Sequence, residues 1–266
     1  MVKLNGKRFN VLLTFDVDAD SLVGQRGTSG QWVVDEPVAH SKGRFGPRVG
    51  LPRILNLLDK YSIKSTFFVP GWTAEKYPDN VKEIAQKGHE IAAHGYKHES
   101  LAEVKSPEDE VAIFIKSIEC LKAVVGQKPV GFRAPFATFS RNTLTNLETY
   151  GFKYDSSLMD DDQPYVIKVE GRSTGLVELP IAWLLDDWGI FETHRRSPKE
   201  AFDILMSEFQ ALYAAGVPYF NLTMHPQVTG RASRMVMLEG LIRTMRRRKG
   251  VTFRRCADLA NDFCDE

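Results

Sequence analysis

A short apolar run followed by an amphipathic helical pattern recurs along this chain, and the alternation constrains the fold more than any other feature. The apolar runs have the length and composition of strands, and they cover residues 11–15, 65–69, 90–93, 130–133, 153–155, 176–179, 219–224 and 251–254. Strands that alternate with helices favour a parallel sheet. Seven or eight such strands in 266 residues predict an α/β fold, a single distorted TIM-like (β/α) barrel that takes residues 1–266 as one domain.

Three of the helical patterns have recognisable ends. Two of them open with a serine, a proline at the first helical position and an acid at the third, which is a typical helix start. A glycine marks the expected end of each of the three. We predict helices from a serine N-cap to a glycine stop at Ser106 to Gly126, Ser140 to Gly151 and Ser197 to Gly216.

Residues 19–50 interrupt this alternation. They contain six glycines and little periodicity. A structureless connection of that length is uncommon inside a compact domain, so we predict a functional segment or a cover over an active site. An ordinary surface insertion is the alternative.

Three acids follow the first predicted strand at every second position: Asp16, Asp18 and Asp20. Alternate residues of a strand share a face, so at least Asp16 and Asp18 can point the same way. Like charges repel unless a cation or an arginine lies between them. The alternative is a solvated turn after the strand.

Two histidines, His94 and His98, stand four residues apart after the predicted strand 90–93. If the chain coils helically there, both imidazoles lie on one side, which suits a divalent metal. The pair alone is a weak signal. Together with Asp18 it forms a His, His, Asp set that leaves coordination open for water, as catalytic metal sites do.

Five ordered motifs resemble those of the polysaccharide deacetylase family, the NodB-homology enzymes. They are TFDVD (14–18), HGYKH (94–98), RAPF (133–136), YDSSL (154–158) and LTMH (222–225), and they extend across nearly the whole chain. The resemblance implies a metal-dependent hydrolase of non-peptide carbon–nitrogen bonds. Its first expected activity is N-deacetylation of an N-acetylated sugar by attack of a metal-bound water.

The same resemblance implies roles for individual residues. Asp18, His94 and His98 would bind the metal, usually zinc, and Asp16 would be the general base. Arg133 would keep Asp16 ionised through a charge-assisted pair, with a structural salt bridge as the alternative reading of the same contact. The backbone N–H of Phe136 would stabilise the oxyanion.

The leaving amine needs a proton donor, and His225 at the end of the predicted strand 219–224 is the candidate acid. Asp186 or Asp187 can hold its imidazole, and we include Asp187 among the candidate catalytic residues. The other histidines, His40, His89 and His194, are predicted to be structural or peripheral, with His40 the main exception because its loop can cover the site.

The chain departs from the usual family pattern in two places. Val17, Asp18 and Ala19 replace part of the common D-D-G sequence, and Pro226-Gln227 stands where many members have an acid. These variations resemble the branch that contains peptidoglycan deacetylase-like enzymes together with cyclic imide hydrolases and allantoinase-like enzymes. That branch tends to carry a long loop after the first motif and to form homo-oligomers, tetramers or dimers.

The substrate therefore stays open at this point. An N-acetyl sugar is the first expectation, a cytosolic cyclic imide or ureide is the alternative, and a non-catalytic carbohydrate-binding barrel is a remote one. Tryptophans can pack a core or offer flat apolar platforms to sugar faces, and the chain has four: Trp32, Trp72, Trp183 and Trp188.

Charge and cysteine content limit the partners and the compartment. Lys plus Arg (35) nearly balances Asp plus Glu (34), and no apolar stretch approaches the roughly 18 residues of a membrane span. We expect neither a nucleic acid nor a membrane partner. The cysteines Cys120, Cys256 and Cys264 are odd in number and form no C-x-x-C pair, and residues 1–18 contain no apolar segment of signal-peptide length, which predicts a cytoplasmic protein.

Overall fold

The structure is a computed structural model that describes residues 8–25, 34–169 and 171–264. The strands are β1 (Phe9–Asp16), β2 (Thr66–Val69), β3 (Glu90–Ala93), β4 (Gly131–Phe132), β5 (Tyr154–Asp155), β6 (Tyr165–Val169), β7 (Arg172–Glu178), β8 (Tyr219–Met224) and β9 (Val251–Arg254). The helices are α1 (Pro37–Phe45), α2 (Leu51–Tyr61), α3 (Gly71–Lys76), α4 (Pro78–Gln86), α5 (Pro107–Val125), α6 (Thr143–Thr149), α7 (Pro198–Ala215), α8 (Pro226–Thr229), α9 (Ala232–Arg246) and α10 (Cys256–Cys264).

The strands form one sheet in the order β6-β7-β5-β4-β3-β2-β1-β8, and every pairing is parallel except that of β6 with β7. One edge of β1 pairs with β8, while its other edge pairs with β9 at the start and with β2 at the end. A parallel bridge between Asp186 and Thr223 joins the chain after β7 to β8. The predicted α/β fold, a distorted (β/α) barrel, is confirmed.

The first strand shows how the barrel is packed. All eight residues of β1 are buried, since parallel strands of such a fold are covered on both faces. Val11, Leu13 and Phe15 belong to the large core under the helices, whereas Leu12 belongs to the smaller cluster in the barrel interior. The two-residue period of the strand therefore sends Asp16 to the interior side.

Seven of the nine strands overlap the predicted strands closely, and β7 begins earlier than expected. The hairpin strand β6 was missed because its residues are only partly buried and give no continuous apolar signal. None of the helices within the described ranges combines the length and the apolar character needed to cross a bilayer.

The two serine-proline helices are confirmed, but the third prediction is wrong at its start. Helix α6 begins at Thr143, and Asn142 occupies the N-cap position without a side-chain hydrogen bond. The hydroxyl of Ser140 instead donates to Glu110 at 2.6 Å and accepts from the Asn142 N–H. A strong acceptor on a neighbouring helix thus removes the serine from the capping role.

The segment 19–50 is more ordered than its composition predicts. Helix α1 occupies Pro37–Phe45, starts at a cap made by the Glu36 carboxylate, and leads through a π-helical turn, Gly46–Gly50, into α2. The second half of the segment is therefore not a structureless connection. Residues 26–33, including Trp32, lie outside the described residues.

Candidate active site

The candidate residues converge at the carboxyl ends of the parallel strands. Asp16 ends β1, His94 follows β3, Arg133 follows β4 and His225 follows β8. Loops at this end of such barrels form active sites, because the strand ends meet there. Here they line a cavity of about 410 Å³, whose walls also include Asp18, His98, Phe136, Trp183, Asp186 and Trp188.

Asp16 and Arg133 form a buried ion pair on one wall of this cavity. The Asp16 Oδ1 lies 2.7 Å from Arg133 Nη1. The rest of the guanidinium donates to Thr14 and to the backbone and hydroxyl oxygens of Ser156. Burial opposes the charge on Asp16, but Arg133, His94 and His225 outweigh it, so the pKa of Asp16 lies below its ordinary value.

Asp18, His94 and His98 form a second buried group. Asp18 Oδ1 is 3.6 Å from His94 Nε2 and 3.7 Å from His98 Nε2, and this oxygen has no hydrogen-bond partner among the described residues. The segment 94–98 is a turn, not the helical coil that the spacing suggested. Gly95 and His98 have φ of +67° and +59°, and this left-handed backbone turns both imidazoles toward Asp18.

The donors of this group fit a divalent metal. Ligands around a tetrahedral zinc with bonds of 2.0–2.1 Å lie about 3.4 Å apart, close to the two separations from Asp18 Oδ1. His94 Nδ1 lies 2.7 Å from the carbonyl oxygen of Arg133, which fixes the proton on Nδ1 and leaves the Nε2 lone pair free. The three groups also have the chemistry of a zinc ligand set.

Burial determines the protonation of these groups. It lowers the pKa of His94 to about 4 and that of His98 well below its ordinary value, so both imidazoles are neutral at pH 7. It raises the pKa of Asp18 to about 8, and the neighbouring charge of Asp16 acts in the same direction. A cation between Asp18 and the histidines would favour the ionised carboxylate.

His225 faces the same two carboxylates from the opposite side. Its Nε2 lies 4.0 Å from Asp16 Oδ2 and 3.7 Å from Asp18 Oδ2, and its Nδ1 lies 2.6 Å from Asp187 Oδ1. Burial disfavours the imidazolium, but Asp187 outweighs it and raises the pKa of His225 well above its ordinary value. Asp187, not Asp186, therefore holds this imidazole.

Asp186, Asp187 and His225 lie close enough together to be a second candidate metal group. Asp187 Oδ2, however, already accepts from the His225 N–H and the Thr229 hydroxyl, and Asp186 Oδ1 accepts from the Trp188 N–H at 2.7 Å. These carboxylates serve the protein's own donors, so the His, His, Asp group is the better metal site.

Phe136 lines the cavity beside the histidine turn. Its ring lies edge-on to that of His98, with centroids 4.4 Å apart. Phe136 and Ala137 have φ of +56° and +51°, a conformation that non-glycine residues adopt only when the surroundings enforce it. This strained turn forms part of the cavity wall.

Several other residues singled out in the sequence lie away from this group. Asp20 turns away and is held by Lys76, Tyr77 and His40. His89 is buried near β2, where its Nδ1 accepts from the Ser65 N–H. Of the tryptophans, Trp183 and Trp188 line the cavity, whereas Trp72 packs under the Lys76 ammonium.

Sequence reasoning missed two polar residues that contact the candidate site. Ser156 holds the Arg133 guanidinium, and Gln227 donates from its side-chain amide to Asp18 Oδ2 at 3.3 Å. Ser156 lies inside the YDSSL motif and could have been suspected. Gln227 stood out only as a departure from the usual family pattern.

Comparison with known proteins gives a consistent result. Residues 45–154 match the family model described as polysaccharide deacetylase. The peptidoglycan deacetylase of Helicobacter pylori is 32% identical, over 95% of this chain and 96% of that protein. A Mycobacterium smegmatis structure assigned as a polysaccharide deacetylase is 37% identical, with a TM-score of 0.86 over 98% of this chain and 92% of that one. The structure of Puue allantoinase has a TM-score of 0.85 over 98% of this chain and 91% of its own, but only 23% identity, so it shows the shared fold alone.

Proposed function

This chain belongs to the polysaccharide deacetylase family, and from that premise we propose that it is a metal-dependent N-deacetylase of an N-acetylated sugar. The observation that carries the proposal is the convergence of three groups on one cavity. These groups are the Asp16–Arg133 pair, the Asp18, His94 and His98 donors, and the His225–Asp187 pair. Together they supply the base, the ligand set and the acid that amide hydrolysis needs.

A divalent metal, for which zinc is our choice, would be held by Asp18, His94 and His98. When bound, it supplies Lewis acidity to the substrate carbonyl and acidifies nearby water. Neutral imidazoles and a single carboxylate suit zinc, and the cavity of about 410 Å³ beside them leaves room for a substrate.

Asp16 is the proposed general base. It is buried within 4.0 Å of both His94 and His225 and is kept ionised by Arg133, so it can accept a proton from the attacking water. Arg133 is a positioning residue, because four of the five N–H groups of its buried guanidinium donate to Asp16, Thr14 and Ser156.

Attack of water on the acetamide carbon produces an oxyanion and then requires departure of the amine. The Phe136 N–H is the proposed oxyanion donor from the protein, since its strained turn is already formed in the cavity wall. His225, charged through Asp187, is the proposed acid that gives its Nε2 proton to the amine nitrogen. Acetate and a free amine are the products.

The rim of the cavity supports a sugar substrate. Trp183 is 60% exposed and Leu184 is 49% exposed, and Trp183 lines the cavity mouth. An exposed aromatic ring at this place offers an apolar platform to the face of a sugar ring. The same acid and base could open a cyclic imide or ureide ring, which is the alternative substrate class. Retention of both acid and base argues against a non-catalytic binding barrel.

The decisive assay compares two substrate classes with one zinc-loaded preparation. We expect acetate release from N-acetylglucosamine oligomers and no ring opening of cyclic imides or allantoin. Asp16→Asn, purified and zinc-loaded in the same way, should release acetate at least about 10²-fold more slowly, which excludes a contaminating enzyme. Ring opening without acetate release would overturn the sugar assignment and select the cyclic amide alternative.

Three further properties belong to this proposal. We propose that residues 1–266 act as one catalytic domain, that the protein works in the cytoplasm and that it assembles as a homo-oligomer, either a dimer or a tetramer. The free thiols of Cys120 and Cys256 are consistent with a reducing compartment. Cell fractionation and light scattering after size-exclusion chromatography test the compartment and the subunit number, and a monomer would contradict the latter.

A further inference from the structure

Gln227 contacts the proposed metal ligand Asp18 at the carboxylate oxygen that does not face His94 and His98. It is 2% exposed, and its Nε2 donates to Asp18 Oδ2 at 3.3 Å. Asp18 Oδ1 is the oxygen that lies near His94 and His98. The two oxygens of one carboxylate thus have different neighbours. Oδ2 accepts from the Gln227 amide and lies 3.7 Å from His225 Nε2, whereas Oδ1 faces the free Nε2 atoms of His94 and His98.

Three glycines, Gly43 of α1 and Gly46 and Gly50 of the π-helical turn, explain why Gln227 stays in this position. A Cβ at Gly43 would come within 2.5 Å of the Ala19 carbonyl oxygen, one residue after Asp18. A Cβ at Gly46 would lie 3.3 Å from Gln227 Oε1, and one at Gly50 would lie 2.0 Å from the Pro226 carbonyl oxygen. The segment 43–50 therefore packs directly on the two backbone stretches that carry Asp18 and Gln227.

We infer that Gln227, backed by the glycine segment 43–50, is a positioning residue that presents Asp18 Oδ1 to the metal. Its amide engages Oδ2 and so fixes the carboxylate rotation, leaving Oδ1 as the single ligand atom. An amide does this without adding a charge to a pocket that already contains Asp16 and Asp18. The inference deepens the proposed function and rests on its metal site.

This arrangement also gives a role to the glycines of the segment that interrupted the regular strand and helix pattern. Gly46 and Gly50 have ordinary helical φ of −52° and −66°, so neither is needed for a special backbone conformation. They are required by close approach, because any side chain there would meet α8. The second half of that segment is thus a backing for the two stretches that carry Asp18 and Gln227.

The test is zinc affinity, measured on metal-free protein by competition with a chromophoric chelator. Gln227→Met keeps the size of the side chain and removes the donor, and we expect zinc to bind about 10- to 100-fold more weakly. Gln86→Met, the same change at an exposed position of α4, should bind zinc like the wild type. Gly46→Ala should weaken binding in the same direction but by less, because its methyl group presses on the Gln227 amide.

Each outcome separates this inference from the proposed function. A wild type that binds no zinc would contradict the metal site itself. Wild type and Gln227→Met binding equally would overturn only the role of Gln227, and unaltered binding by Gly46→Ala would overturn the backing by the glycine segment. Circular dichroism of the metal-free proteins verifies folding, and Gln227→Asn, whose amide is too short to reach Asp18, replaces Gln227→Met if the latter does not fold.

Discussion

His94 and His225 face the same carboxylates from opposite walls of the cavity, yet their protonation states are opposite. Both are buried, and burial alone would make both neutral. The difference lies at Nδ1. In His94 this atom meets the backbone carbonyl of Arg133, and in His225 it meets the Asp187 carboxylate.

That single neighbour decides what each imidazole can do. A carbonyl orients the ring without supplying charge, so His94 keeps a free lone pair at Nε2 and can bind a cation. A carboxylate stabilises the imidazolium, so His225 carries a proton at Nε2 and can donate it. Within one cavity, the function of a histidine therefore depends less on the residue type than on the atom that contacts its Nδ1.

The largest effect is expected from removal of one of the proposed metal ligands. His94→Ala should abolish stoichiometric zinc binding and lower deacetylase turnover on the order of 10⁴-fold, because one of three protein ligands is gone. Metal analysis after dialysis and acetate release measure the two. His194→Ala, at an exposed histidine, is the matched control and should keep both. Equal zinc content in His94→Ala and wild type would contradict the role of His94 as a ligand, and with it the contrast between His94 and His225.

The next largest effect is expected at Asp16, the proposed general base. Asp16→Asn should retain zinc, because Asp18 and not Asp16 belongs to the ligand set, while kcat falls by about 10²- to 10⁴-fold with loss of the base. Zinc stoichiometry and kcat on the same preparation are the measurements. Loss of zinc in this variant would indicate that Asp16 is itself a metal ligand, which would contradict the division of roles between Asp16 and Asp18.

The third prediction concerns the pH dependence of kcat, which His225 as the proposed acid should determine. Because Asp187 raises the pKa of His225, the protonated acid persists to high pH, and kcat should fall only as pH rises through that raised value. In Asp187→Asn the amide cannot support the charge, so the fall should move to lower pH and kcat at pH 7 should drop by about 10- to 100-fold. An unchanged pH profile of kcat would show that Asp187 does not set the state of His225.

The sequence predicts well which residues line this site, because the carboxyl ends of neighbouring parallel strands always meet at the same edge of the sheet. Parallel strands bring Asp16, His94, Arg133 and His225 to one edge wherever their exact bounds lie. The resemblance to a known family then separates them into roles. Neither step depends on the details of a loop.

What could not be predicted depends on backbone that side-chain patterns do not encode. The spacing of His94 and His98 suggested a helical coil, and the structure brings them together through a left-handed turn. Helix α1 was missed because its amphipathic signal is weak and its glycines suggested a loop. Gln227 reaches Asp18 across 209 positions of sequence, a contact that no local pattern reveals.

A buried imidazole outside the cavity, His89, sharpens the comparison by showing burial without a functional partner. Its Nδ1 accepts a hydrogen bond from the Ser65 N–H, the reverse of His94, and burial lowers its pKa to about 4. The unfolded chain binds this proton near pH 6.5, so the stabilisation is complete above that value. It is lost as pH falls toward 4, because protonation then favours the unfolded state.

The smallest expected effect follows from that sign. Between pH 7 and pH 5, His89 should account for about 1 kcal/mol of the fall in the free energy of unfolding, after allowance for its partial contact with solvent. His89→Gln keeps a carbonyl acceptor for Ser65 and removes the titration, so urea unfolding at the two pH values should show a smaller fall than in the wild type. His194→Gln should leave the fall unchanged, since that side chain is exposed. If His89→Gln keeps the full pH dependence, burial alone does not hold a histidine neutral in this fold, and the neutral state of His94 must then come from its backbone partner and the bound metal.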